Sequence, residues 1–374
     1  MTTARVPASR LLTRLEAAMA ATRQPVALAC LRAERAGHMA RQGHIDSARE
    51  EIQAVHALFD RQPHVEVSAW LSLAEGFLAY FTNLSDTARD KFQRAHALSR
   101  ASGLAHLQAL SAAWLAHMAY TRFDLAAMGA HLAEALSTAI PGQNNARARA
   151  CLVAGTAYHY AERLDLAQIW YAKARVAAGQ DGDEATLSAL AHNMAWHRGN
   201  HAMQAAVFGG DVGDQARHAQ AGAEASGNFD QWMGTSSLDA LVPMLCAVVA
   251  SAQGRHADAL ALYEKHLDDA QRQGLGRMRG NFLIDMAWCH WHVGQADVAE
   301  RLAEEGMAAL DIGMHVDDRA VAHGRLAQLR GLMGQADVAA DHAQQARTDW
   351  VLHQALQRQV MEALDRALPP GGRE

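Results

Sequence analysis

Lysine is almost missing from this chain: Lys91, Lys173 and Lys265 are the only three, and arginine supplies every other long basic side chain. We read that bias as the mark of a GC-rich bacterial genome rather than of a basic binding face. The 34 basic residues are outnumbered by 40 acidic ones, for a formal charge of −6. A pI near 6.4 gives a mildly negative field, which argues against nucleic acid or anionic lipid as a partner. Long apolar runs are missing too, and none approaches the roughly 18 residues that a membrane span needs. The first twenty residues carry Arg5, Arg10 and Arg14 without a continuous apolar segment, so no secretory signal is read there and a cytoplasmic location is expected. Cysteine is scarce and scattered. Cys30, Cys151, Cys246 and Cys289 form no CxxC pair and no metal-ligand spacing, so buried free thiols are expected. With aromatics at 6%, few β-branched residues and no period-two alternation, nothing reads as a strand.

What the chain does have is small apolar residues and an internal repeat. Half of it is hydrophobic and it is rich in alanine, a mixture that favours closely packed helices. The stretch Gly294-Gln295-Ala296-Asp297-Val298-Ala299 returns unchanged at Gly334 to Ala339, forty residues on. Looser copies recur upstream. Self-similarity at a fixed period signals a stack of identical supersecondary units.

Taken in order, residues 1–24 form a helical lead-in with Leu11, Leu12, Leu15 and Met19 on one face, and Pro25 suits the first turn of the next helix. From there to 349 the chain reads as eight helix pairs. Each has a small residue early in its second helix, at Ala48, Ala88, Ala126, Ala167, Ala216, Ala259, Ala299 and Ala339. A small side chain there allows close helix approach. Asp or Ser near the turns, as at Asp46, Asp86, Asp124, Asp165 and Asp297, is expected to cap the second helix. Breaks between pairs are read at Gln62-Pro63, Ser102-Gly103, Pro141-Gly142, Asp181-Gly182, Ser226-Gly227, Gly274 to Gly276 and Ile312-Gly313. One unit is irregular, with a longer helix over 183–208 followed by Gly209-Gly210-Asp211. Residues 350–374 read as a helix that caps the last pair, with Leu352, Leu356, Val360, Leu364 and Leu368 on one stripe, ending at Pro369-Pro370-Gly371-Gly372.

On these residues, with Ala299 opening a second helix after Gly294 and with Ala261, Leu262 and Tyr263 in the unit before, the array resembles the tetratricopeptide repeat (TPR) over about residues 26–349. Its period of about forty exceeds the usual ~34. That length resembles the sensor regions of bacterial signal-transduction regulators related to the maltose-system activator. Their ATPase and helix-turn-helix modules have no counterpart here, since the chain lacks a P-loop. The resemblance implies an all-α fold, an α-solenoid of eight antiparallel helix pairs wound as a right-handed superhelix, whose first helices line a concave groove.

That placement picks out candidate partner-binding side chains: Phe77, Tyr80 and Phe81, then His159 and Tyr160, then Trp196 and His197, then Trp288, Trp291 and His292. Large rigid rings anchor interfaces. His192, His197 and His201 share spacing that could hold a metal, but no carboxylate or thiol joins them, so no metal and no cofactor is expected. Gly274-Leu-Gly276-Arg-Met-Arg-Gly280 follows a helix and reads as a turn rather than a dinucleotide loop, and Arg272, Arg277 and Arg279 read as a solvated helix end. No catalytic arrangement stands out. The function expected is a non-catalytic scaffold that binds a protein or peptide in its groove. The alternative is a sensor responding to a small-molecule effector, with the unit around 183–211 as its responsive part. No oligomeric state is read.

Overall fold

Helices pair along this chain because short turns interrupt long alanine-rich segments, and the computed structural model, which describes residues 9–310 and 314–368, shows where each begins and ends. A first helix, α1 (Arg10–Ala21), precedes eight pairs. These are α2 (Pro25–Arg41) with α3 (Ile45–Phe59), α4 (Val65–Asn83) with α5 (Thr87–Ala101), α6 (Ala105–Tyr120) with α7 (Leu125–Thr138), and α8 (Asn145–Tyr160) with α9 (Leu164–Asp181). They continue with α10 (Glu184–Phe208) and α11 (Val212–Met233), α12 (Leu241–Ala252) and α13 (His256–Arg272), α14 (Arg279–His292) and α15 (Ala296–Ala308), and α16 (Val316–Leu332) and α17 (Ala336–Ala367). No strand occurs among the described residues. No described helix is long and apolar enough to cross a membrane.

The chain divides into two compact units. One comprises residues 1–190, 228–238 and 359–374, and the other 191–227 and 239–358. Within the first unit α2 packs on α4, α4 on α6, and α6 on α8, while each second helix packs on its own partner. Within the second unit α12, α14 and α16 follow one another in the same way.

The turn from a first helix to its second repeats one hydrogen-bond pattern. At Gly294 (φ +83°) the N–H donates to the carbonyl of Trp291 and the next N–H, of Gln295, to that of His290; Gly334 (φ +77°) and Gln335 do the same with Gly331 and Arg330. The left-handed residue ends one helix and releases the next, which is why glycine recurs there. Phe123 and Glu162 hold the same position without being glycine, at φ +53° and +58°.

The small residue near the start of the second helix is fully buried at Ala48, Ala88, Ala167, Ala216, Ala259 and Ala299. Ala126 departs from this and is exposed, because Met128 stands three places into α7 and takes the buried position. On the first helix, glycine makes room for a ring of the second: a side chain on Gly155 would meet the Tyr171 ring at 2.7 Å, and Gly76 meets Phe92 in the same manner.

Three further expectations change. Of the carboxylates expected to cap, only Asp124 does so, accepting from the Ala127 N–H, while Asp183 and Asp211 cap α10 and α11. Asp46, Asp165, Asp258 and Asp297 sit inside the first turn instead, where the helix dipole favours an anion without a capping bond. Ser226-Gly227 is no break, for α11 runs through it with the Ser226 hydroxyl donating to the Gly222 carbonyl, and the chain turns at Gly234. The helix expected to begin at 350 is the second half of α17, since no Gly or Pro interrupts residues 336–367. Its last turns bury Val360, Leu364 and Leu368 and pack in the first unit, where Gly129 on α7 lets Ala363 and Ala367 approach, rather than over the eighth pair. Arg5, the break at Ile312-Gly313 and the Pro369–Gly372 terminator lie outside the described residues.

Candidate functional site

The first helices of the first unit bring their polar side chains to one interior. Leu11 of α1, Glu34, His38 and Arg41 of α2, Trp70 and Phe77 of α4, Leu110 and Trp114 of α6, Asn145 and Arg149 of α8, and Asp183 and Thr186 at the head of α10 all line one cavity. About 420 Å³ of non-protein space lies among these side chains with the open solvent at the mouth included, of which about 30 Å³ is the cavity proper. In α8, Ala146, Ala148, Ala150, Cys151, Leu152 and Val153 are all buried around Arg149.

Asp183 is the electrostatic anchor. It caps α10 by accepting from the Thr186 N–H at 3.0 Å, accepts from the Thr186 hydroxyl at 2.8 Å, and meets Arg41 Nη2 at 3.0 Å with both oxygens. Burial would raise its pKa, but Arg41, His38 and Thr186 outweigh that and hold the carboxyl down to about 2. Burial lowers His38 to about 4, so the imidazole is neutral, and its Nε2 lies 3.1 Å from the Ser9 hydroxyl. Burial pushes half-buried Glu34 up to about 7, with Arg14 opposing the shift and Asp181 adding to it.

Arg149 is only 4% exposed and its guanidinium lies 3.7 Å from the centroid of the Trp114 ring. Its Nε and Nη2 have no acceptor among the described residues. Burial, followed by the Arg41 charge, lowers its pKa to about 9. Trp114 is itself nearly fully buried, edge-on to Phe77 at 4.9 Å and to Tyr80 at 5.8 Å.

The second unit holds a contrasting centre. Asp285 accepts from Ser251 (2.8 Å), Tyr263 (2.8 Å) and Arg325 Nε (3.3 Å), and Arg325 lies 4.5 Å over Trp288. Arg325 also donates to Gln328 and reaches Met203 Sδ, so this buried arginine is satisfied where Arg149 is not.

The aromatic and histidine candidates fall into several environments. Phe77, His159 and Tyr160 are buried, with Phe77 on the cavity wall, His159 Nδ1 3.3 Å from the Tyr171 hydroxyl, and the Tyr160 ring tilted against Phe123 at 5.0 Å. Tyr80 is half-buried and its hydroxyl lies 2.7 Å from His117 Nε2; Phe81 is half-buried beside it. Trp196 is half-buried and packs against Ala195, Leu245 and Val249, and His197 is half-buried on the same helix. Trp288 and Trp291 are half-buried and His292 is exposed, with His256 stacked on it at 4.4 Å. The candidates therefore divide between the units, and only Phe77 reaches the cavity.

Sequence reasoning missed Trp70, Trp114, Arg41, Arg149 and Asp183 as site residues. It also missed Trp232, 78% exposed. The usable signal was an arginine inside an apolar helical run, as in Ala146–Val153 around Arg149.

The other sequence features resolve locally. Arg272 pairs with Asp269, Arg279 Nη1 donates to Gln271, and Arg277 Nη1 lies 2.9 Å from His315 Nε2. Among the described residues one group has the proximity to hold a metal, His315 with Asp317 and Asp318. The Arg277 guanidinium against that imidazole opposes a cation there. Burial pushes the thiols of Cys30 and Cys151 up to about 12 and that of Cys289 higher still, which keeps them protonated and poor nucleophiles. No family model matches the chain, and no curated protein matches it.

Proposed function

We propose that this chain is a non-catalytic binding protein of TPR-like design, which takes up a peptide or an exposed segment of a partner protein on the first-helix face of its first unit. One observation carries the reading: four successive first helices, α2, α4, α6 and α8, turn aromatic or arginine side chains toward a single cavity. Rings and arginines are the side chains that give binding energy in a desolvated pocket, the rings by burying rigid area and the arginines by directed hydrogen bonds. An interior built only for stability would have no use for so many charges, since buried ion pairs add little over apolar packing.

The test is selection of peptide ligands from a random displayed library on the intact chain, followed by photo-crosslinking of the selected peptides. Crosslinks on α2, α4, α6 or α8 are expected. Peptides that crosslink only to second helices, or a selection that yields no peptide, would defeat the reading.

A ligand-responsive regulator is the second reading. Two of the boundaries between the compact units fall inside α10 and α11, at 190/191 and 227/228, the first of them within the 183–211 stretch that breaks the repeat period. Under that reading a selected ligand changes amide exchange in α10 and α11; unchanged exchange there at saturation removes it.

A further inference from the structure

Three features compete for a further role: the acidic group at His315, Asp317 and Asp318; exposed Trp232; and Arg149 in the first-unit cavity. The first is faced by Arg277, and nothing shows what would cover the second. The third has a chemistry of its own.

We propose that Arg149 is a receptor for a carboxylate group, presented on an apolar stem that enters the cavity between Trp70, Phe77, Leu110 and Trp114. The inference rests on the binding reading above and names the chemistry of the ligand.

The argument starts from which nitrogens lack partners. Nε and Nη2 lie on one edge of the guanidinium and point their N–H bonds the same way, a fork that matches the two oxygens of a carboxylate. The chain fills this fork elsewhere. Arg319 donates from Nε (3.0 Å) and Nη2 (2.7 Å) to the two oxygens of Asp349, and Arg163 does the same to Asp165 at 2.9 and 2.7 Å. At Arg149 the same edge is buried and has no acceptor among the described residues. Leaving a charged donor pair unsatisfied in the interior is costly, and the cavity that Arg149 lines is where an acceptor would come from.

Charge narrows the ligand further. Arg41 also lines the cavity, but Asp183 holds it at 3.0 Å. Glu34 and Asp183 face the same space. One unpaired guanidinium beside two carboxyl groups suits a monoanion and opposes a dianionic phosphate. Among the remaining walls Leu11, Trp70, Phe77, Leu110 and Trp114 outnumber the polar His38, Asn145 and Thr186, so the group attached to the carboxylate is mainly apolar. Trp114, stacked on the guanidinium, holds its plane and leaves the edge for the ligand.

Such a carboxylate can be the C-terminus of a peptide or a free organic acid. The test uses isothermal titration of the full chain with four probes: N-acetyl-phenylalanine, its amide, an N-acetylated tetrapeptide ending in phenylalanine, and that peptide's C-terminal amide. The acids are expected to bind at least tenfold tighter than the matching amides. Arg149→Met should abolish that preference, and Arg149→Lys, which keeps the charge without the fork, should cut it severalfold. Circular dichroism and thermal melting establish that each variant is folded, and if Arg149→Met is not, Arg149→Lys carries the test. A tetrapeptide acid that outbinds the free acid tenfold assigns a chain terminus, and equal affinities assign a free acid. Acid and amide binding equally to the wild type, or an acid preference that survives in Arg149→Met, overturns the carboxylate site while leaving the peptide-binding reading intact. Absence of binding by all four probes overturns the carboxylate site, and an unsuccessful peptide selection separately overturns the reading beneath it.

Discussion

Arg41 and Asp183 stand 142 residues apart in sequence and meet through one guanidinium nitrogen at 3.0 Å from both carboxylate oxygens. Both are buried, so the pair ties the end of α2 to the head of α10 within the first unit. Removing one partner strands the other's charge in the interior. Asp183→Leu is expected to cost about 3–5 kcal/mol, whereas Arg41→Met with Asp183→Leu together should cost clearly less than the sum of those two singles. Urea unfolding of all four proteins closes the cycle, and additive losses would mean that the pair contributes no coupling.

Gly155 and Gly179 are both helical glycines with opposite prospects. Alanine at 155 would press on the Tyr171 ring at 2.7 Å, while nothing lies within 4 Å of a side chain at 179. Gly155→Ala is expected to destabilise by about 1–2 kcal/mol despite alanine's better helix propensity, and Gly179→Ala to stabilise by about 0.5–1 kcal/mol. Denaturant midpoints decide it. Equal effects at the two positions would show that ring-into-glycine packing does not constrain the first helix.

Glu34 makes stability depend on pH in a definite direction. Its carboxyl titrates at about 7 in the folded chain against an ordinary value of 4.5, so the folded state keeps a proton that the unfolded state releases between those values. That contribution is fully present below pH 4.5 and is lost as pH rises through 7. Glu34→Gln stays neutral throughout. Wild type and variant are expected to melt alike near pH 4, and the variant to be the more stable by pH 8. A gap that does not change with pH would show that Glu34 does not titrate as described.

The helix pairs were legible in the sequence because each turn needs a residue that tolerates the left-handed conformation and each second helix needs a small or slender residue near its start. Both needs are local. Met128 escaped for a related reason: Ala126 satisfies the pattern by composition, but the register of α7 is set by burial, which only packing decides. The unbroken α17 was legible in principle from its lack of Gly and Pro, yet its stripe from Leu352 to Leu368 does not say which surface it meets. The cavity was the least visible. Arg149 in a run of small apolar residues looks like an ordinary solvated position until α2, α4 and α6 close around it. Asp183 looks like a turn residue until Arg41 arrives from the other end of the unit.

The two identical turns at Gly294 and Gly334 have unlike neighbours. Gln295 Oε1 lies 2.5 Å from His290 Nδ1, and Gln335 Oε1 accepts from Arg330 at 2.9 Å, the same side chain answering two different donors five residues upstream. A connector that accepts either donor places little demand on the helix it closes. Whole units can then be duplicated or exchanged at these junctions without redesigning the joint, so the same six residues that make the chain repetitive also leave its first helices free to diverge toward new ligands.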